Sequence, residues 1–136
     1  EQTGWRVFAW VLMSNHYHLA FQTPSPNLVS GMTWFQNTFT RRINSKHRLW
    51  GRLFGDRYKA VLVENDPVDP QSRYRPADYL AVLINYVHLN PARAGLVNPA
   101  TRPGESVLDY PWSSLAGGYG LPPSKRPQFK FSGQAT

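Results

Sequence analysis

Four side chains of this sequence have the types and spacing to handle a phosphate ester. His16 and His18 stand two apart. On an extended strand both imidazoles then project from one face, close enough to chelate one ion, while Tyr17 between them turns to the other face as a packing residue. The same spacing also arises from two histidines on a polar sheet face. Tyr86 and Asn90 are four apart, which on a helix puts them on one face, one turn from each other. A tyrosine hydroxyl can form a covalent phosphoester, helped by a divalent cation that manages the developing charge. Asn90 offers a neutral oxygen as a third ligand beside two imidazole nitrogens, a mixed set that suits Mn²⁺ and is tolerable for Mg²⁺. The alternative stays open: Tyr86 as a core aromatic with its hydroxyl at the rim, and Asn90 before Pro91 as the cap of a short segment ending at Gly95. His88, two residues from Tyr86, faces away on a helix and reads as structural.

The charge balance says what such a site would meet. Fifteen Lys and Arg against eight Asp and Glu give a net charge of +7 and a pI near 10.1. A domain this basic is biased toward polyanions, nucleic acid first and an anionic membrane surface a weaker second. Aromatic residues make up 14% and can add base stacking to phosphate neutralisation, or simply fill the core. The cations fall in three groups: Arg41, Arg42, Lys46 and Arg48; Arg52, Arg57 and Lys59; and Arg73, Arg75 and Arg93. Arg57 and Lys59 alternate on a predicted strand, a stripe able to follow a phosphate backbone. Candidate DNA contacts are Arg57, Lys59, Arg93, Arg41 and Arg42. With 41% hydrophobic residues in 136, the chain has the composition of one compact domain, and no apolar run has the length of a bilayer span. The absence of cysteine excludes disulfides and thiolate metal sites and makes the cytoplasm the default location.

The elements that must position these groups follow from periodicity. Residues 5–13 are apolar and rich in Val, Trp and Phe, a buried strand. Ser14-Asn15 marks a tight turn, and residues 16–23 alternate, with His16, His18, Ala20 and Gln22 on one face and Tyr17, Leu19 and Phe21 on the other. Asn27 is the candidate cap of an amphipathic helix whose apolar positions are Leu28, Met32, Phe35, Phe39 and Ile43. A third strand is expected over residues 57–64, then a proline-rich connector over residues 67–76. A second helix starts at Pro76 and is expected to break at Asn90, since a residue before proline avoids the α region. The rest is loop-rich, with Trp112 and its surroundings the best anchored part.

At this point whole segments resemble a known family. The run from Ala9 through Trp10, Val11, Leu12, Met13, Ser14, Asn15, His16, Tyr17, His18 to Leu19 resembles the HUH signature of the REP-associated tyrosine transposases, within the single-tyrosine HUH transposases of insertion sequences. The likeness continues through Gly51-Arg52-Leu53-Phe54 and Arg57-Tyr58-Lys59-Ala60. It strengthens over residues 86–97, from Tyr86-Val87-His88-Leu89-Asn90-Pro91 to Val97, and closes at Tyr110-Pro111-Trp112-Ser113-Ser114. It spans about residues 5–120, and several motifs in register are far more specific than one.

The resemblance implies an α+β, ferredoxin-like fold, an antiparallel sheet with helices on one face, lacking the N-terminal strand and helix that family members carry. A single HUH domain over residues 1–121, N-terminally incomplete, and a flexible C-terminal extension over residues 122–136 are expected. His16 and His18 map onto the metal ligands, Asn90 onto the third-ligand position and Tyr86 onto the nucleophile. The implied cofactor is Mg²⁺ or Mn²⁺, and the implied partner is single-stranded DNA with a hairpin, cut through a 5′-phosphotyrosine intermediate by a monomer or homodimer at the bacterial nucleoid. Where many relatives carry Gln-Gly before the Arg-Tyr-Lys stretch, this chain has Gly55-Asp56, an acid locally repulsive to DNA. Two rivals make different predictions. A non-catalytic hairpin-binding module would bind equally with and without metal and form no covalent species. A phosphoesterase using water would survive loss of the Tyr86 hydroxyl.

Overall fold

A computed structural model describes residues 2–63 and 76–116. Four main elements organise them: strand β1 (Arg6–Leu12), strand β2 (Tyr17–Gln22), helix α1 (Leu28–His47) and helix α2 (Pro76–Arg93). The expected extension over residues 122–136 and the connector over residues 67–75 lie outside the described residues.

β1 and β2 form an antiparallel hairpin in which Trp10 pairs with Leu19, Val11 with His18 and Leu12 with Tyr17. The turn is closed by Met13 N–H donating to His16 O at 2.8 Å. The register slips between Val7 and Ala9, leaving Phe8 as the extra residue of a bulge.

Alternation along the strands divides the hairpin between the two helices. On one face Tyr17 meets Phe35 of α1 edge-on, with ring centroids 5.8 Å apart. Gln36 donates to the Tyr17 hydroxyl at 3.0 Å, and Phe21 stacks on Trp5 at 4.4 Å. On the other face Ala9, Val11 and Ala20 are buried against Val87 of α2, with Leu83, Ile84 and Tyr110 around them. The antiparallel α+β architecture is the expected one. The two helices, however, flank the hairpin from opposite faces rather than sharing one, because each takes the apolar set that one phase of the strand alternation presents.

α1 begins at the expected residue, but the Asn27 side chain makes no capping bond. Its amide donates to Thr3 O at 2.7 Å and its carbonyl oxygen accepts from Trp5 Nε1 at 2.8 Å, so it ties the segment before β1 to the start of the helix. Trp5 thereby comes to lie over Gly31, where an added Cβ would run into the indole. Gly31→Val is expected to destabilise the domain by about 2 kcal/mol through overpacking, read as a lower urea midpoint with an unchanged slope. An unchanged midpoint would show that the indole yields freely.

α2 does not break at Asn90. It runs on to Arg93 with Pro91 inside it. Pro91 has no N–H for the carbonyl of Val87, the usual cost of an internal proline. Here the Asn90 side chain supplies donors instead, from Nδ2 to Tyr86 O at 2.9 Å and to Val87 O at 3.3 Å. Pro91 is also fully buried, so its ring packs where solvent would otherwise reach. The helix ends as Leu96 N–H returns to Pro91 O at 2.9 Å and Gly95 takes a φ of 73°, the left-handed turn that glycine enters without strain.

The strand expected over residues 57–64 is not present in its described part, residues 57–63. Val61 and Leu62 are 86% and 81% exposed, so this stretch gains no burial, and a strand without a ladder partner is not stable on propensity alone. The free edge of β1 is instead taken by residues from the far end of the described chain. Leu12 N–H donates to Trp112 O at 2.7 Å, and Ser114 N–H donates to Trp10 O at 2.9 Å, with Val11 and Ser113 bridging antiparallel. Tyr110 adds a bond from its hydroxyl to Leu12 O at 2.8 Å. Ser113 is buried to 1% exposure, while the Trp112 indole itself is exposed.

Candidate active site

The hairpin turn and α2 bring three of the sequence-predicted residues together. His16 sits in the turn rather than in the strand, one residue before β2, yet its ring lies 5.1 Å from that of His18, edge to face. His18 meets the Tyr86 ring at 6.1 Å, again edge to face. Tyr86 is 45% exposed, so its phenol is open to an incoming ligand. Asn90 and Arg93 follow Tyr86 at four and seven residues, the stripe that 3.6-residue periodicity keeps on one flank of a helix. The guanidinium of Arg93 lies over the Tyr86 ring, 5.0 Å from its centroid.

His18 and His16 differ in what their surroundings do to them. Burial, and then the charge of neighbouring His16, hold the His18 imidazole below its ordinary pKa, keeping it neutral and its lone pair available at neutral pH. His16 Nδ1 lies 2.6 Å from Asn15 Oδ1. An amide oxygen only accepts, so Nδ1 carries the proton and Nε2 keeps the lone pair. The sequence marks Asn15 as a turn residue and not as a partner of His16, because this contact is expressed only through its neighbour's tautomer. Asn15→Ala is expected to weaken divalent-metal binding roughly tenfold, at the low end for lost orienting partners, in a Mn²⁺ titration followed by electron paramagnetic resonance. Equal affinities would deny Asn15 this part.

Asn90 has its Nδ2 committed to the α2 backbone, donating to Tyr86 O and Val87 O. Among the described residues no group of three or more His, Asp and Glu converges. A cation here would therefore rest on the two imidazoles, the Asn90 carbonyl oxygen, and oxygens of substrate and water. That donor set is chemically acceptable for Mn²⁺ or Mg²⁺.

His88 is placed as expected, on a different side of α2 from Tyr86. It is 4% exposed, burial lowers its pKa, and its Nε2 lies 2.7 Å from Ser114 Oγ. The same hydroxyl accepts from Trp10 N–H at 3.0 Å. His88 and Ser114 thus pin α2 to β1 through the closing Tyr110–Ser114 motif, which fixes where Tyr86 stands relative to the histidines. The sequence showed that motif without showing this use of it.

The candidate DNA contacts are dispersed. Arg41, Arg42, Arg57, Lys59 and Arg93 are all exposed, and of these Arg93 lies against the phenol. Arg41 lines a hollow with Trp34 and Asn37 on α1. Arg57 lines an adjoining one with Asn37, Arg52 and Phe54. Both hollows border α1, across the hairpin from Tyr86. Lys59 lies outside any regular element, so the predicted Arg57–Lys59 strand stripe does not form.

No helix among the described residues is long and apolar enough to cross a membrane. No curated protein and no solved structure matches the chain. A family model described as "Transposase IS200 like" matches residues 1–74, just over half of the 136 residues and the part that holds the hairpin, both site histidines and α1. The chain therefore belongs to the IS200-like transposase family.

Proposed function

We propose that this transposase cuts and rejoins single-stranded DNA beside a hairpin, as the REP-associated tyrosine members of the HUH group do, with Tyr86 as the nucleophile. What supports the reading is one cluster: an exposed phenol edge-on to His18, which is edge-on to His16. In the forward step the Tyr86 hydroxyl oxygen bonds to the scissile phosphorus, and the bond from phosphorus to the 3′-oxygen breaks. The phenol proton is balanced by the one taken up at the released 3′-hydroxyl, and the 5′ end stays on Tyr86 as a phosphodiester. A DNA 3′-hydroxyl attacking that linkage restores the phenol. Because the phosphodiester is conserved, no nucleotide cofactor is required. His16, His18 and Asn90 would hold a divalent cation, which when bound supplies Lewis-acid polarisation of the phosphate. Asn15 holds His16 in the tautomer this needs, while His88 and Ser114 hold α2 in place.

Arg41, Arg42, Arg57 and Lys59 are proposed to bind flanking DNA through phosphates, the sequence-independent, salt-sensitive part of affinity. Incubation with hairpin oligonucleotides and Mn²⁺ or Mg²⁺ is expected to give a protein–DNA species that survives denaturing electrophoresis. Binding without such a species, and without metal dependence, would support a hairpin-binding module instead. Multiple-turnover hydrolysis unaffected by Tyr86→Phe would point to water as nucleophile.

A further inference from the structure

Arg93 occupies a position that phosphate-backbone binding alone does not require. Its guanidinium lies over the ring of Tyr86, two helical turns on along the flank that also carries Asn90. The guanidinium carbon lies 5.0 Å from the ring centroid, and the long arginine side chain lets its donors swing from the ring toward a group held at the phenol oxygen. A phosphate approaching that oxygen on the face of the ring that Arg93 covers comes within reach of the guanidinium. Both side chains are exposed, so a strand can approach without displacing packed groups. The stacked arrangement is weakly held, because a cation–π contact at an exposed site contributes little. A charge-assisted, two-pronged contact to phosphate is stronger. The incoming phosphate therefore wins the guanidinium from the ring with little loss.

We infer that Arg93 is a catalytic residue that binds the non-bridging oxygens of the scissile phosphate and stabilises the negative charge gathering there as Tyr86 attacks. This rests on the proposed role of Tyr86 and deepens it. In the transition state the phosphoryl group is partly bonded to both the phenol oxygen and the departing 3′-oxygen, and its equatorial oxygens carry the charge that a fixed cation lowers in energy. Arg93 takes no proton and forms no covalent bond in this step. Arg41 and Arg57 line hollows across the hairpin from Tyr86 and are assigned to flanking DNA rather than to the scissile phosphate.

The test compares the full chain with Arg93→Ala and Arg93→Lys under saturating hairpin DNA and Mn²⁺, on two substrates. One carries a normal scissile phosphodiester. The other carries a methylphosphonate there, which lacks the charge that Arg93 would meet. On the phosphodiester, Arg93→Ala is expected to slow adduct formation about 100-fold, the scale of losing one preorganised donor, with DNA affinity changed less than about threefold. Arg93→Lys is expected to recover part of the rate, since it restores charge without the fork. On the methylphosphonate, wild type and Arg93→Ala are expected to react within about threefold of each other. Unchanged phosphodiester rates in Arg93→Ala would overturn the inference. So would an equal loss on both substrates, which would mark Arg93 as only a support for the Tyr86 ring. A wild type that forms no adduct on the phosphodiester would overturn the role of Tyr86 itself, and this inference with it.

Discussion

Tyr86→Phe is expected to abolish the covalent DNA adduct while leaving DNA binding and stability nearly intact. The loss should exceed about 10⁴-fold, the range seen when a nucleophile is deleted from a cooperating set. The substitution is a clean one here. Phenylalanine keeps the ring that meets His18 and lies under Arg93, so only the proposed attacking oxygen is removed. The side chain is also substantially exposed, and surface changes of this kind usually shift stability by less than about 0.5 kcal/mol. Adduct yield on a denaturing gel, set beside hairpin affinity by fluorescence anisotropy, separates the two quantities. An adduct of undiminished yield would move the chemistry to another residue.

His16→Ala is expected to have the second largest effect, and of a different form. Removing one imidazole from the proposed site of two imidazoles and one amide oxygen should raise the Mn²⁺ concentration for half-maximal adduct formation at least about 100-fold. Hairpin affinity should change less than about twofold. His16 is exposed and lies in the turn, outside the buried cluster of Ala9, Val11, Ala20 and Val87, so the fold is not at stake. His18→Ala should weaken metal dependence similarly but also removes the ring that Tyr86 meets, which makes His16 the better probe. Adduct yield across a Mn²⁺ titration measures the effect. Identical curves for wild type and His16→Ala would remove the histidine pair from metal binding.

The elements easiest to read from the sequence were those whose periodicity is also their packing. Tyr17, Leu19 and Phe21 of the β2 alternation and Met32, Phe35 and Phe39 of the α1 stripe are buried or half-buried as the pattern required. The expectation for residues 57–64 failed because β-branched and aromatic content states a preference, whereas a strand also needs a partner and a face to bury. The free edge of β1 is held by Trp112 and Ser114, a pairing between distant parts of the chain that no local pattern encodes. At Asn90-Pro91 the local rule was sound and was overridden by the Asn90 side chain and by burial of Pro91. Tertiary arrangement likewise decided that the helices take opposite faces.

For the site, spacing was enough to nominate His16, His18, Tyr86 and Asn90, since two-residue and four-residue intervals carry direct geometric meaning. It could not show that the hairpin turn and α2 meet, nor that Arg93 folds back over Tyr86. The residues that act through others, Asn15 on His16 and Ser114 on His88, stand in motifs the sequence shows, but nothing in those motifs names their partners. Their parts appear only once a hydrogen bond names the partner.

The most direct measurement is mass spectrometry of the protease-digested product formed from full chain, hairpin DNA and Mn²⁺. The account predicts a peptide containing Tyr86 that carries a nucleotide through its phenol oxygen, and no such peptide when metal is chelated. A nucleotide linked to any other side chain, or strand cleavage with every tyrosine unmodified throughout the reaction, would contradict it.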